Sequence, residues 1–326
     1  MALPHIAFFA CGGTISSVAP TTRDPVAPRL GAAAILASAP TVLDLARVDA
    51  HDFSTVRSIG ISLEEMLSLT RAVANAFRDG CDGAIITHGT DTLEEVAYAL
   101  ALMLPRGKPI VVTGAMRSPS QLGADGPANL LSAFCVTTNS AAAHLGPVVV
   151  LDDEIHAARF ATKLHTSKTS AFASPESGPL GEIVENRSDI WWTPAWTDEL
   201  GLPETLGGVE VEIVRIAAGM SDMALRATIA ASPDAVVIEA LGGGHLESSF
   251  LPALDELIAT GIPVITASRS LAGATLERTY GMPGGEIDLI DRGVIPVGRL
   301  AGHKARLRLL VGLSLGMGPH DLFPVH

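Results

Sequence analysis

The sequence predicts an α/β fold with a doubly wound parallel sheet, and three observations predict it. Short runs rich in Ile, Val and Phe are apolar throughout, so they read as strands covered on both faces. Longer Ala/Leu/Glu-rich runs of helical character separate them, which is the rhythm of a parallel sheet clad with helices. The chain has 326 residues, 48% hydrophobic and 17% charged. That length suits about two domains at roughly 150 residues each, and the composition is far too apolar for a disordered chain.

Residues 5–10, His-Ile-Ala-Phe-Phe-Ala, are the first predicted strand, running toward Gly12-Gly13. Segment 19–40 follows and contains Pro20, Pro25 and Pro28 with few apolar anchors near its start. It reads as a loop, and a long loop after the first strand of such a sheet suits a lid. Residues 62–79 are predicted helical, 83–87 a strand, 93–104 a helix, 109–113 a strand, 125–137 a helix and 147–151 a strand. The rhythm breaks over 188–208, where all three tryptophans (Trp191, Trp192, Trp196) fall beside Pro194, Pro203 and Gly207-Gly208. This marks a linker. The domains are read as 1–190 and 209–326, with 191–208 between them. The second, smaller α/β unit has predicted strands over 209–216, 235–239, 263–267 and 294–297, and helices over 222–231 and 250–260.

Composition narrows the function. Lys and Arg number 22 against 35 Asp and Glu, a net charge of −13. Binding to a phosphate backbone relies on clustered Lys and Arg, so no nucleic-acid partner is expected and a small-molecule enzyme is favoured. Cys11, Cys81 and Cys135 are odd in number and widely spaced, which suggests neither a disulfide framework nor a zinc ligand set. The ten histidines lack close ligand spacing, so no metal is expected. No Lys or Arg precedes the first apolar run, and no apolar stretch approaches the roughly 18 residues of a membrane span. A cytoplasmic protein with no membrane partner is expected. No Gly-x-Ser-x-Gly elbow, phosphate loop or His-Glu-x-x-His occurs, and Gly242-Gly243-Gly244 misses the dinucleotide-binding spacing.

The segment from Gly83 through Thr87, His88, Gly89, Thr90, Asp91 and Thr92 to Glu95 is more informative. A strand enters a tight loop that opens a helix. Thr92 and Glu95 make a Thr-x-x-Glu pattern, so Thr92 is the expected N-cap of a capping box. Thr90 and Asp91 then lie at the C-terminal end of the strand, the edge where open α/β sheets bind ligands. A hydroxyl beside a carboxylate can activate a nucleophile and grip an ammonium group. An ordinary capped turn needs Thr92 but has no use for His88, Thr90 and Asp91 together. Cys11-Gly12-Gly13-Thr14 follows the first strand, and its glycines allow a sharp turn that displays Thr14 at the same edge.

These motifs resemble the bacterial-type L-asparaginase family. Gly83-x-Ile85-x-x-His88-Gly89-Thr90-Asp91-Thr92-Leu93 is similar to its second signature, and Ala10 to Ser16 to its first, with Cys11 in place of a leading Thr. Gly114-Ala115-Met116-Arg117, Ala124 to Leu130, and Ala158-Arg159-Phe160-Ala161-Thr162-Lys163 extend the resemblance, as do Ile262-Pro263-Val264 and Gly281. It covers essentially the whole chain. It implies a flavodoxin-like N-terminal domain, a smaller C-terminal α/β domain, side-chain amide hydrolysis with no cofactor or metal, and a homodimer or homotetramer. Asparagine catabolism is the implied setting.

Carried over by residue, the resemblance makes Thr14 the nucleophile that forms an acyl-enzyme, with Thr90, Asp91 and Lys163 as the second catalytic group. Lys163 would deprotonate Thr90 or its water, and Asp91 would orient Lys163 and hold the substrate ammonium. Backbone near Gly89, Thr90 and Ala115 would bind substrate and the oxyanion. Ser58, in Arg57-Ser58-Ile59-Gly60, would bind the α-carboxylate. Lys168 competes with Lys163, which is preferred because it follows Ala-Arg-x-x-Thr. Three departures bear on specificity. The lid lacks a tyrosine, Ile59 stands where a polar residue usually follows the serine, and His245 stands where a partner subunit's Asn is expected. Asparagine hydrolysis leads. Glutaminase-asparaginase or an amidase on another small amide is the enzyme alternative, and an amidotransferase subunit or a sensor the remaining one.

Overall fold

A computed structural model describes residues 2–19, 27–54 and 58–323, with the side chains of Pro28 and Ser58 outside that description. The chain forms two compact units, Met1–Glu199 and Leu200–His326. Both are α/β, and the larger carries an eight-stranded sheet.

Across that sheet the order is Arg187–Ile190, Gly181–Val184, Glu154–Ala157, Pro147–Leu151, Ile110–Thr113, Gly83–His88, His5–Cys11 and Arg47–Asp52. The five strands from Pro147–Leu151 to Arg47–Asp52 are parallel. In the four from Pro147–Leu151 to His5–Cys11 the apolar runs are buried on both faces, as the lack of alternation predicts: Ile6, Phe8, Ile85, Val111 and Val148 all sit in one core with Ile35 and Phe134 from the covering helices.

Besides the edge strand Arg47–Asp52, the sequence does not predict the other three strands, which are antiparallel. They depend on two tight turns, Asp152-Asp153 (φ 51° and 61°) and Glu185-Asn186 (φ 53° and 59°). Both central residues of each turn have positive φ, the geometry that matches strand twist in a two-residue hairpin. Neither pair contains the glycine that usually signals such a turn.

Segment 19–40 is not a simple loop. Ala27–Pro28 pairs antiparallel with Ser17–Val18, and Ala32–Ala37 is a helix that buries Ala32, Ile35 and Leu36. Its first N–H, on Ala32, donates to Asp52 Oδ1 at 2.6 Å. Residues 20–26 of the expected lid lie outside the described residues.

The helix Leu63–Arg78 begins with a complete capping box between Ser62 and Glu65. At Leu93–Met103 the expected box does not form. Thr92 occupies the N-cap position with φ −126° and ψ 15°, and its side chain makes no capping hydrogen bond. An N-cap side chain reaches the N3 amide from an extended ψ, which Thr92 lacks.

The smaller unit holds a four-stranded parallel sheet, ordered Val211–Arg215, Ala235–Ala240, Val264–Ser268 and Ile295–Pro296. Met223–Ala231 and Leu251–Ala259 are helical near the predicted spans. Gly302–Ser314 is an additional thirteen-residue helix. Trp192 packs on the core of the larger unit, and Trp196 packs edge-on against Phe160. No described helix is long and apolar enough to cross a membrane.

Candidate active site

Two loops meet where the His5–Cys11 and Gly83–His88 strands end, with Cys11 in register with His88. Gly12 and Gly13 have φ of 73° and 85°. A Cβ on Gly13 would lie 2.4 Å from both Cα and N of Gly89, so the backbones touch and only glycine fits. Thr14 follows, half-buried, as the first residue of the short turn Thr14–Ser16. The hydroxyls of Ser16 and Ser17 both donate to Gly13 O, at 2.9 and 2.7 Å, and hold the turn closed.

From the second loop comes Thr90, buried to 5% exposure. Lys163 Nζ donates to Thr90 Oγ1 at 2.9 Å and to Asp91 Oδ1 at 2.7 Å. Lys163 lies on the short strand Thr162–Lys163, paired with Phe172–Ala173. Its backbone N–H donates to Glu94 Oε1 at 3.3 Å, so the helix that begins after Asp91 also holds the lysine's backbone. Lys163 is partly buried and Asp91 about half exposed, at 17% and 56% of side-chain surface. The pair therefore joins the buried hydroxyl to open solvent. A depression of about 360 Å³ lined by Asp91, Glu94, Lys163, Leu164, His165 and Thr166 adjoins it.

A third loop, after Ile110–Thr113, closes against the first two. A Cβ on Gly114 would lie 2.5 Å from His88 O and 3.4 Å from Thr90 Cγ2. Asp125 braces this loop by accepting from the amides of Met116 and Arg117, both at 2.8 Å. Asn129 Nδ2 donates to Gly114 O at 3.0 Å, and its Oδ1 accepts from Asp152 N at 3.0 Å. Ala115 is fully buried within this brace. The strand ends thus hold Thr14, Gly89, Thr90, Asp91 and Ala115 at one edge, and Lys163 reaches Thr90 and Asp91 from its own strand pair.

Lys168 and His245 fall outside this group. Ser58 belongs to the turn Ser58–Gly60, and its side chain lies outside the described residues. Lys168 is exposed, in a turn where its N–H and that of Ser167 donate to His165 Nδ1. His245 belongs to the smaller unit, where its Nε2 lies 2.9 Å from buried Glu286 Oε2 and its ring meets Tyr280 edge-on. Thr279 and Tyr280 N–H donate to the other Glu286 oxygen. These hydrogen bonds outweigh burial and hold the Glu286 carboxyl below its ordinary range. Tyr98 is fully buried and donates to Asp198, which also pairs with Arg159. His88 is buried, its Nδ1 2.9 Å from Gly89 O, and burial lowers its pKa. The sequence reading assigned no role to Glu94, Asp125 or Asn129. Asp125 and Asn129 stand in the Ala124–Leu130 motif, which was their signal, whereas Glu94 had none.

A hydroxyl, an amine and a carboxylate in hydrogen-bond sequence, at the ligand-binding edge of a doubly wound sheet, are the equipment of a hydrolase. Fold and site together define a two-domain α/β hydrolase. The family model for the asparaginase N-terminal domain matches residues 5–196, and that for the glutaminase/asparaginase C-terminal domain matches residues 210–323. The chain belongs to the asparaginase family of amide hydrolases. It is 32% identical to L-asparaginase 2 of Escherichia coli, over 99% of this chain and 92% of that one. It is 33% identical to glutaminase-asparaginase of Pseudomonas fluorescens, over 96% of this chain and 87% of that one. A crystal structure of a probable cytoplasmic L-asparaginase from Campylobacter jejuni superposes with TM-score 0.87 at 29% identity, covering 98% of each chain.

Proposed function

We propose that this protein hydrolyses L-asparagine to L-aspartate and ammonia through a threonine ester. The observation that carries the proposal is Lys163 Nζ, 2.9 Å from Thr90 Oγ1 and 2.7 Å from Asp91 Oδ1. Thr14 Oγ attacks the side-chain amide carbon, the C–N bond breaks, and the hydroxyl proton leaves with ammonia. Lys163 Nζ takes up the proton of Thr90, or of a water held by it, and passes it to Thr14 Oγ as the ester opens. That water then attacks the ester and releases aspartate and free Thr14. Asp91 steadies the lysine and accepts a hydrogen bond from the substrate α-ammonium. Amides of the braced loops at Gly89, Thr90 and Ala115 bind substrate and the oxyanion. Such preorganised donors need little rearrangement as charge develops. Ser58 receives the α-carboxylate.

The rest of the reading follows from the family likeness. The working form is a homodimer or homotetramer, with His245 and its loop near the partner's site. Light scattering checks this, and a fully active monomer contradicts it. The three free, buried cysteines and the Campylobacter neighbour support a cytoplasmic location. A glutaminase-asparaginase is the second reading, supported by the Pseudomonas relative. Ammonia release from L-asparagine, L-glutamine and simple amides decides between them. Fast turnover of asparagine alone supports the first reading, and comparable kcat/KM for glutamine supports the second. Turnover of simple amides only would overturn both.

A further inference from the structure

The strands that carry Thr14 and Thr90 at their ends bring a different group of side chains together at their starts. His5 opens the first strand, Asp49 lies on the edge strand Arg47–Asp52, and Cys81 stands two residues before Gly83–His88. One nitrogen of His5, one carboxylate oxygen of Asp49 and Cys81 Sγ all lie within 4.8 Å of one another. Cys81 Sγ is 3.7 Å from His5 Nδ1 and 3.8 Å from Nε2. Donors bound at about 2.0–2.3 Å in a tetrahedron stand about 3.3–3.8 Å apart, so only small side-chain adjustments are needed.

The surroundings hold this trio in place. His5 N–H donates to Asp82 Oδ2 at 2.8 Å, and Asp82 N–H donates back to His5 O at 2.6 Å. Cys81 N–H donates to Ala76 O at 3.0 Å, and Cys81 O accepts from Lys108 Nζ at 2.6 Å. His51 Nε2 lies 3.3 Å from Asp49 Oδ2. Cys81 is buried while Asp49 is exposed, so the group is anchored on one side and open to solvent on the other.

We propose that His5, Asp49 and Cys81 bind one thiophilic divalent cation of the zinc class, with water completing the coordination. A sulfur, nitrogen and oxygen donor set selects such an ion over magnesium or calcium. The ion joins the starts of three neighbouring strands. It lies a full strand of seven residues from the Thr14 loop, about 20 Å at roughly 3.3 Å per residue. Its effect is therefore on stability, through preferential binding to the folded chain. Residues 5, 49 and 81 show no ligand spacing in the sequence, because sheet register alone brings them together.

The test is titration of the chelator-treated full-length protein with Co2+, followed by Zn2+ competition and thermal unfolding. One equivalent of Co2+ with a thiolate charge-transfer band, displaced by Zn2+, is expected, with a thermal midpoint that rises with Zn2+. Cys81→Ser removes the band. Asp49→Asn, at an exposed position, weakens Zn2+ binding by at least about tenfold while leaving metal-free stability and ammonia release unchanged. Absence of the band, its survival in Cys81→Ser, or unaltered Zn2+ affinity in Asp49→Asn would overturn the proposal.

Discussion

Gly13 and Gly89 meet backbone to backbone, with room for no atom between them: a Cβ on Gly13 would lie 2.4 Å from Gly89 Cα. Gly13→Ala must therefore both strain φ at 85° and push the two loops apart. A backbone at φ 85° and ψ −174° is essentially open to glycine alone and costs an L-residue roughly 1–3 kcal/mol, and a backbone clash adds to it. The variant should lose more than about 2 kcal/mol in urea unfolding and most of its ammonia release. Unchanged stability would show that the loops can part.

Lys163 and Lys168 are five residues apart but differ in surroundings. Lys163→Met removes both hydrogen bonds to Thr90 and Asp91 and should abolish turnover. Lys168→Met alters an exposed turn and should stay within about 0.5 kcal/mol of the parent. Steady-state kinetics on both variants, with unfolding curves, checks the pair. The opposite ranking would move the catalytic lysine to 168.

His156 gives the fold a pH dependence of defined sign. It is 1% exposed, its Nδ1 is 3.1 Å from Ser174 Oγ, and burial lowers its pKa from 6.5 to about 4. Between those values the unfolded chain holds a proton that the folded chain does not, so stability rises with pH. The contribution is complete above about pH 6.5 and is lost as pH falls toward 4. It amounts to roughly 3 kcal/mol over the whole window. Urea unfolding at pH 7 and pH 5 samples the upper part of this window, and His156→Gln should reduce the difference, leaving the share of buried His88, whose pKa is also lowered. An equal slope in the variant would assign the effect elsewhere.

Ile59 is 69% exposed in the turn that holds Ser58. A polar side chain there could contact the amino-acid end of the substrate. A hydrogen bond to a charged group is worth roughly 1.5–3 kcal/mol, about one to two decades in affinity. The parent should therefore bind asparagine with KM toward the millimolar end of the usual range. Ile59→Gln should lower KM more than it raises kcat, because the contact exists in ground and transition states alike. A micromolar KM in the parent would mean other groups already supply the contact.

How far the sequence revealed this molecule depended on which physics set each element. The central strands were legible because burial on both faces leaves an unbroken apolar run, as in Ile85-Ile86 and Val111-Val112. Arg47–Asp52 was not, because an edge strand with Asp49 and His51 half in water carries no such run. Glu154–Ala157 and its antiparallel neighbours depended on Asp152-Asp153 adopting positive φ without glycine. The helix Gly302–Ser314 was hidden by Lys304, which is buried despite its charge, and by Arg306 and Arg308. At the site, Thr90 and Asp91 were visible in one motif. Glu94 was not, since its bond to the Lys163 amide spans 69 residues.

The central claim is that Thr14 and Thr90, with Lys163 and Asp91, hydrolyse an amide at one strand edge. Val nearly matches the shape of Thr and removes only the hydroxyl's chemistry. The most direct measurement is kcat for ammonia release from L-asparagine by the parent, Thr14→Val and Thr90→Val, with folding checked by unfolding curves. The account predicts a fall of several orders of magnitude in each folded variant, as for loss of a nucleophile or its activating partner. Near-parental turnover in either one would contradict it.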